Sequence, residues 1–313
     1  MKLFLYRLQN FFLSLIIFCL THLPVRMASW AGGIFCRLIG PYLSLSKIAD
    51  RNLQIAFPNR DPPWRKKTIS DAWDNIGRTF AEFPHLREFR PNHSSGPGWH
   101  VIGENHLRDA YDSKRPVIFF SGHIGNWELL PVIVARYGLG FSPFYRSPNN
   151  PFLDRTLCAL RQKAVGHAVE MFPKGANGAR QAVRHLVKGG HLGVLGDQKM
   201  NDGIEVMLFN RPTMTAPAAA ALAIRYNALI VTGHIWREGP MHFVLQVDPP
   251  LDPSLTLSVL PHRTQHDAVQ ALTQDLNNRL QLWIEKHPSQ WLWFHRRWGK
   301  ELYKHQKVSS TKN

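Results

Sequence analysis

Cysteine is scarce in this chain, which argues against a disulfide-rich protein and against a zinc-binding one. Three cysteines, Cys19, Cys36 and Cys158, stand far apart among 313 residues, and none belongs to a Cys-x-x-Cys pair. An odd number at this spacing indicates neither a disulfide framework nor a zinc site. The usage is consistent with the reducing cytosol. No internal repeat or low-complexity tract stands out, and the apolar content is ample for a buried core.

Acidic residues are also few. The chain has 22 Asp and Glu against 38 Lys and Arg, a formal net charge of +16. Such a balance predicts a polyanionic partner, which can be nucleic acid, an anionic membrane surface, an acidic protein or a phosphorylated substrate. A membrane-tethered nucleic-acid-binding protein is disfavoured, because neither a clustered basic motif nor an aromatic stacking platform is evident.

A long apolar run stands at the N-terminus. Residues 3–25 (LFLYRLQNFFLSLIIFCLTHLPV) are about as long as a bilayer-crossing helix, although Arg7, Gln9 and Asn10 interrupt them. No small-residue cleavage site follows, so we predict a retained membrane anchor, with an interfacial helix as the open alternative. By the positive-inside rule, the basic residues after this run place the main body in the cytoplasm: Arg26, Arg37, Lys47 and Arg51.

After a helical region, short β-like runs alternate with helical ones, which predicts an α/β domain. The predicted strands are 99–102, 116–121, 141–145, 168–172, 191–196, 204–209, 229–236 and 242–248, the last two as an antiparallel hairpin. The predicted helices are 104–112, 128–137, 150–165, 176–188, 214–227 and 265–286. We expect one mixed, mostly parallel sheet flanked by helices. The predicted division is an anchor (1–25), a helical region (26–98), an α/β domain (99–305) and a polar tail (306–313).

The segment FFSGHIGNWELLP (119–131) places a histidine and a glutamate around one turn. On one continuous helix, His123 and Glu128 would lie about 140° apart. Pro131 instead predicts that a helix begins near Trp127 or Glu128, so that His123 lies on the loop and is brought back over Glu128. A His–carboxylate pair is a general base. The alternative is a structural histidine with a glutamate favoured at a helix start.

This segment resembles the His-x4-Glu motif of the lipid A biosynthesis acyltransferases, the late lauroyl/myristoyl transferases. The blocks RNLQIAFPN, PFYRSPNNPFLDR, GVLGDQK and PSQWLWFHRRW follow in the order and spacing of that family. The resemblance implies a glycerolipid-acyltransferase-like fold at the inner membrane of a Gram-negative bacterium, acting in lipopolysaccharide biosynthesis. It implies acyl transfer from acyl carrier protein to a hydroxyl of a lipid A precursor, with His123 as general base and Glu128 orienting it. No acyl-enzyme, metal or bound cofactor is implied.

Substrate-binding residues are expected in two of these blocks. Arg146 and Asn150 lie in the first, where an arginine can hold a phosphate or stabilise an oxyanion, and where the asparagine can instead cap a helix. Asp197 and Gln198 follow an apolar strand, where the aspartate can orient a base or bind the acceptor. Backbone N–H groups near Gly122 and Gly125 are further oxyanion candidates.

The expected partners are acyl carrier protein, a lipid A precursor glycolipid and the anionic inner-membrane surface. The alternative acceptors are a phosphatidylinositol mannoside and a lysophospholipid, and the alternative acyl donor is acyl-CoA. The aromatic-basic segment WLWFHRRW (291–298) can form a membrane-interface belt or close the core. For Asn126 and Trp127, the sequence predicts only a structural role in the turn.

Overall fold

The computed structural model describes residues 2–92, 96–166, 169–255 and 264–303. Its first third is helical, with α1 (Lys2–Thr21), α2 (Val25–Ile39), α3 (Ser44–Ala56) and α4 (Pro62–Glu82). Asp61 caps α4 by accepting a hydrogen bond from the backbone N–H of Trp64, and Pro62 stands at the first helical position, where its missing N–H costs nothing. A 3₁₀ turn, Phe83–Glu88, leads from α4 towards the sheet.

Eight strands form the main sheet in the order β1-β2-β10-β9-β3-β6-β4-β5. Their bounds are β1 (Arg90–Pro91), β2 (Gly98–Ile102), β3 (Val117–Ser121), β4 (Phe141–Tyr145), β5 (Phe172–Pro173), β6 (His191–Leu195), β9 (Leu229–Gly239) and β10 (His242–Val247). Every neighbouring pair is parallel except the β9–β10 hairpin, which is antiparallel as predicted. The predicted α/β fold with a mixed, mostly parallel sheet is confirmed.

Helices connect and flank these strands. They are α5 (Glu104–Asp112), α6 (Leu130–Val134), α7 (Pro151–Val165), α8 (Ala176–Val187), α9 (Ala218–Tyr226) and α10 (Gln265–Lys286). The central strand β3 is buried along its whole length, because helices cover both faces of a parallel sheet. This explains its unbroken apolar run, and it places the end of β3 in the middle of the carboxyl edge of the sheet.

Three predicted elements differ in detail from the structure. Residues 199–208 (β7, Lys199–Leu208) pair with β8 (Arg211–Thr215) in a separate two-stranded antiparallel sheet. Phe209 and Asn210 form the turn between these two strands, both with positive φ angles. Because β8 extends to Thr215, the predicted helix at 214–227 begins only at Ala218. The predicted helix at 128–137 is a five-residue α-helix between two 3₁₀ turns, and Gly138 ends it with φ +76.

The tryptophan-rich segment near the C-terminus closes the core. Trp291, Trp293 and Trp298 are all fully buried, and the first two rings meet edge-to-face with centroids 4.4 Å apart. These tryptophans therefore lie in the protein interior and not in an interface belt. The predicted polar tail, 306–313, lies outside the described residues, and the domain division remains a prediction.

Helix α1 is long and apolar enough to cross a membrane, judged by length and composition. Two of its polar interruptions, Gln9 and Asn10, contact the start of α7. The side-chain amide of Asn150 donates to the Tyr6 carbonyl at 2.9 Å and to Gln9 Oε1 at 3.0 Å, and Thr156 Oγ1 donates to Asn10 Oδ1 at 2.9 Å. Gln9 and Asn10 therefore attach the N-terminal half of α1 to the protein body, next to the cavity described below.

Candidate active site

The loop after β3 is held from several sides. His123 stands two residues beyond the end of the strand, and its carbonyl accepts a hydrogen bond from the N–H of Leu292 at 3.1 Å. The next residue, Ile124, forms an isolated antiparallel bridge with Trp291. The C-terminal segment therefore fixes the backbone at the histidine carbonyl and at the residue that follows it.

Gly125 allows this loop to pass close to β9. Its φ is +58, and a β-carbon there would collide with the carbonyl oxygen of Ile235. From α4, Asn75 Nδ2 at 3.0 Å and Thr79 Oγ1 at 3.1 Å donate to the Gly125 carbonyl. The turn is thus a rigid element, and only glycine satisfies its backbone geometry.

A buried charge cluster explains Asn126. Its side-chain amide donates to Glu82 Oε2 at 2.7 Å, and Glu82 is wholly buried at the end of α4. The guanidinium of Arg237 binds the same carboxylate at 2.6 and 2.9 Å, and Ser29 Oγ donates to it at 2.6 Å. A paired and hydrogen-bonded carboxylate is tolerable in the core. Asn126 therefore ties the loop after β3 to the helical region.

The carboxylate that contacts His123 belongs to Asp197. His123 Nδ1 donates to Asp197 Oδ1 at 2.7 Å, and the backbone N–H of His123 donates to Oδ2 at 2.8 Å. The indole N–H of Trp291 donates to Oδ2 as well, also at 2.8 Å. Asp197 is fully buried, whereas the His123 side chain retains 17% exposure.

This geometry sets the charge of Asp197 and the tautomer of His123. Burial by itself raises the pKa of Asp197, but the charge and hydrogen bonds of His123 outweigh it and hold that pKa well below its ordinary value. An ionised carboxylate only accepts hydrogen bonds, so the proton of a neutral His123 ring resides on Nδ1. The lone pair on Nε2 is then the free basic site.

Glu128 and His123 were predicted to contact each other, but each contacts a different side chain. Glu128 accepts hydrogen bonds from Arg161 of α7 at 2.9 Å (Nε) and 2.6 Å (Nη2), and no hydrogen bond joins it to His123, both being described residues. The ring of Trp127 lies edge-to-face against the His123 ring, with centroids 5.1 Å apart. The orienting role expected of Glu128 therefore falls to Asp197.

Strand pairing is the physical reason for this difference. Ser121 at the end of β3 pairs in parallel register with Leu195 at the end of β6. His123 and Asp197 each stand two residues beyond those positions, so their side chains emerge side by side at the same sheet edge. Ligand and catalytic groups gather at this edge in open α/β sheets.

A cavity of ≈ 270 Å³ opens beside His123 and Glu128. Apolar side chains form most of its wall, among them Leu130, Phe141, Phe144, Leu157 and Val194. Two exposed cations, Arg146 and Lys174, also line it, and Lys174 Nζ donates to Gln198 Oε1 at 3.3 Å. The cavity thus combines a basic nitrogen, an apolar wall and a positive rim.

The predicted substrate-binding residues divide into two pairs. Arg146 and Gln198 line the cavity, as a substrate-binding role requires. Asn150 is buried, and its Oδ1 accepts from the N–H groups of Phe152 and Leu153, so it caps α7 while its amide holds α1. Asp197 lies beneath His123 and has no exposed surface for an acceptor.

The backbone N–H groups expected to stabilise an oxyanion are mostly engaged. Gly125 donates to the Gln290 carbonyl at 3.1 Å, and Ile124 donates to the Gly122 carbonyl at 2.8 Å. The N–H of His123 is bound to Asp197. These three N–H groups are therefore not free to bind an oxyanion.

Four further residues of this site were not among the predicted site residues: Arg161, Lys174, Trp291 and His295. The last donates from Nε2 to the Asp197 carbonyl at 3.3 Å, and burial lowers the pKa of His295 to about 4. A recognisable signal existed for Trp291 and His295, because both stand in the block PSQWLWFHRRW already quoted for the resemblance. Within the described ranges, no group of three or more His, Cys, Asp or Glu is arranged to hold a metal ion.

Comparison with known proteins identifies the family of this chain. The family model "Bacterial lipid A biosynthesis acyltransferase" matches residues 3–300. The chain is 25% identical over 205 residues to a phosphatidylinositol mannoside acyltransferase of Mycolicibacterium smegmatis (64% of this chain, 63% of the relative). It is 28% identical over 111 residues to the lipid A biosynthesis lauroyltransferase of Escherichia coli (35% of each chain). A phosphatidylinositol mannoside acyltransferase of Mycobacterium tuberculosis is 24% identical over 205 residues (64% and 60%). The chain spans less than two thirds of each relative.

Proposed function

Because this chain belongs to the bacterial lipid A biosynthesis acyltransferase family and is an O-acyltransferase, we propose that it transfers a fatty acyl chain from acyl carrier protein to a hydroxyl of a lipid A precursor. The observation that carries the proposal is the His123–Asp197 pair beside an apolar cavity with a cationic rim. The pair supplies a base, the apolar wall suits an acyl chain, and the rim suits a phosphorylated substrate.

In the proposed reaction, His123 Nε2 removes the proton of the acceptor hydroxyl. The resulting alkoxide attacks the thioester carbonyl, the new ester C–O bond forms and the C–S bond breaks. The departing thiolate takes the proton from the imidazolium, so the enzyme returns to its initial state. Asp197 holds the ring in the productive tautomer and stabilises the imidazolium while it exists.

Electrostatic stabilisation of the tetrahedral intermediate is assigned to the rim cations. Arg146 has five donors in a fixed fork, which suits an oxyanion or a phosphate. Lys174 adds a second positive charge across the same cavity. The apolar residues between them and His123 exclude water, which strengthens these interactions and protects the thioester from hydrolysis.

Glu128 and Arg161 are positioning residues in this proposal. Their bidentate ion pair joins the start of α6 to α7, and both side chains line the cavity. Burial lowers the pKa of Arg161, but the Glu128 carboxylate outweighs burial and raises it, so the guanidinium stays charged. The pair holds Trp127, next to Glu128, against the imidazole ring.

A mannoside acceptor is the second candidate. Two relatives named phosphatidylinositol mannoside acyltransferase align over 64% of this chain, against 35% for the lauroyltransferase. The acyl donor has the same two alternatives as before, an acyl carrier protein thioester or acyl-CoA. Both candidates use the same His123 chemistry, so the acceptor and the donor need separate measurement.

The test is a radiolabelled transfer assay with purified full-length protein in detergent. Each donor is paired with each acceptor, a lipid A precursor or a phosphatidylinositol mannoside, and products are identified by mass spectrometry. We expect transfer from acyl carrier protein to the lipid A precursor, and its loss in His123→Ala with an unchanged circular dichroism spectrum. Transfer to the mannoside alone would reject the proposed acceptor, and wild-type transfer by His123→Ala would reject the proposed base.

A further inference from the structure

Helix α2 has its large apolar residues on the outside. The face that packs on α4 is made of small residues, with Ala28, Ser29 and Gly33 buried, and Gly32 lies directly against the backbone of Gly77. The opposite face exposes large side chains. An amphipathic helix of a globular protein normally shows the reverse arrangement.

We call this exposed face and its continuation the α2 surface. It consists of Met27, Trp30, Phe35, Leu38, Ile39, Tyr42 and Leu43. Trp30 is 60% exposed, Leu38 65% and Tyr42 90%. Exposed apolar patches of this kind mark binding sites for protein or membrane.

A basic groove of ≈ 1130 Å³ adjoins the α2 surface. Pro41 and Ser44 line it, and they flank Tyr42 and Leu43, so the apolar surface and the groove share an edge. The groove runs between α3 and α4 and is bounded by Arg296. Its cations include Lys47, Lys66 and Arg296, all three exposed.

These three cations have no acidic partner within the described part of the chain. Asp50, which also lines the groove, accepts from Arg65 Nε at 2.8 Å and is thereby neutralised. By contrast, Lys67, the neighbour of Lys66, pairs with Asp71 outside the groove. The groove is therefore a concave site with unneutralised positive charge, directly beside the exposed Tyr42.

We propose that the α2 surface and the basic groove together form a docking site for an anionic phospholipid bilayer. The apolar side chains enter the interfacial region, and the groove receives headgroup phosphates. Tryptophan and tyrosine prefer the headgroup level of a membrane, and lysines there are attracted by anionic lipid. An acidic protein partner would satisfy the groove but leave Trp30 and Leu38 in water. This contact is separate from the His123 site and does not depend on the acceptor proposed above.

The first measurement locates the α2 surface. In full-length protein with Cys19, Cys36 and Cys158 changed to alanine, Leu38→Cys and Val187→Cys each receive an environment-sensitive fluorophore. Val187 on α8 is 64% exposed and serves as the matched control. In nanodiscs that contain phosphatidylglycerol, we expect lipid-attached quenchers to quench the probe at 38 and not the probe at 187. Equal quenching at both positions, or none at 38, overturns the proposal.

The second measurement tests the groove. Short-chain phosphatidylglycerol is titrated into detergent-solubilised protein that carries the probe at Tyr42→Cys, in parallel with short-chain phosphatidylcholine and inorganic phosphate. We expect the anionic lipid to bind most tightly, and Lys66→Ser and Arg296→Ser each to weaken it about fivefold. Lys67→Ser is the matched charge control and should leave binding unchanged.

Three outcomes of the titration overturn the proposal. The first is equal affinity for inorganic phosphate, which would make the groove a general anion site. The second is equal weakening by Lys67→Ser, which would reduce the effect to net charge. The third is displacement of the lipid by apo acyl carrier protein, which would assign the groove to that acidic protein.

Discussion

Replacing Asp197 by asparagine tests which carboxylate serves His123. In the native site, Oδ2 accepts two hydrogen bonds, from the His123 backbone and the Trp291 indole, while Oδ1 accepts one from His123 Nδ1. An asparagine can satisfy the two donors only by placing its oxygen where Oδ2 stands. Its amide NH₂ then faces Nδ1 and becomes a donor to it.

This reversal moves the imidazole proton to the other nitrogen. With Nδ1 as acceptor, a neutral His123 carries its proton on Nε2, and the free base that faces the cavity is lost. A wrong tautomer in a Ser-His-Asp triad costs about 10⁴ in kcat. We therefore expect Asp197→Asn to lower the rate of acyl transfer by about 10³ to 10⁴, which corresponds to roughly 4–5.5 kcal/mol in the activation free energy.

The assay is single-turnover acyl transfer at saturating substrate over a range of pH, with thermal unfolding as the control for folding. The comparison variant is Glu128→Gln, which removes charge from the Arg161 ion pair and leaves the His123–Asp197 pair intact. We expect this variant to lose about tenfold or less in kcat, because glutamine still accepts a hydrogen bond from Arg161 and loses only the charged part of the contact, about 1 kcal/mol. A thousandfold loss in Glu128→Gln, with Asp197→Asn within tenfold of wild type, would refute the assignment.

Three other variants test stability. Glu82→Gln leaves Arg237 buried beside a neutral partner, so we expect a loss of about 3–5 kcal/mol in unfolding free energy by chemical denaturation; a loss below 1 kcal/mol would contradict the buried pairing. Burial, and then the charge of His287, lower the pKa of His234 to about 3, so unfolding binds a proton below the unfolded pKa of about 6.5. Stability should thus fall as pH decreases from about 6.5 towards 3, by roughly 1.4 kcal/mol per pH unit, and His234→Phe should reduce this slope; an unchanged slope would count against it. Asn150→Ala should cost about 1 kcal/mol as a lost helix cap, with KM for the acceptor unchanged, whereas a raised KM would restore its substrate-binding role.

Local patterns predicted the long elements well. The spacing of Val269, Leu272, Leu276, Leu280 and Trp283 predicted a helix at 265–286, which matches α10 at both ends. The apolar run before Ser121 similarly predicted β3. These elements follow from side-chain periodicity and burial, which neighbouring residues determine on their own.

Strand β8 was missed by the same reasoning. The Thr-rich stretch 211–215 was assigned partly to a helix, but its threonines face Arg297. Thr213 Oγ1 donates to the carbonyl of that arginine at 2.6 Å, and the guanidinium is fully buried against Thr213 and Thr215. This contact joins segments more than 80 residues apart, so no local pattern encodes it.

The sequence by itself determined that His123 stands on a tight turn at the end of a buried strand, because glycine spacing, Pro131 and the apolar run are local signals. It also contained the family resemblance, which the family match confirms. The choice of carboxylate was different. Glu128 is five residues from His123, but only the parallel pairing of β3 with β6 brings Asp197, 74 residues away, beneath the imidazole ring. Strand register decides which distant side chains meet, and register is a property of the assembled sheet.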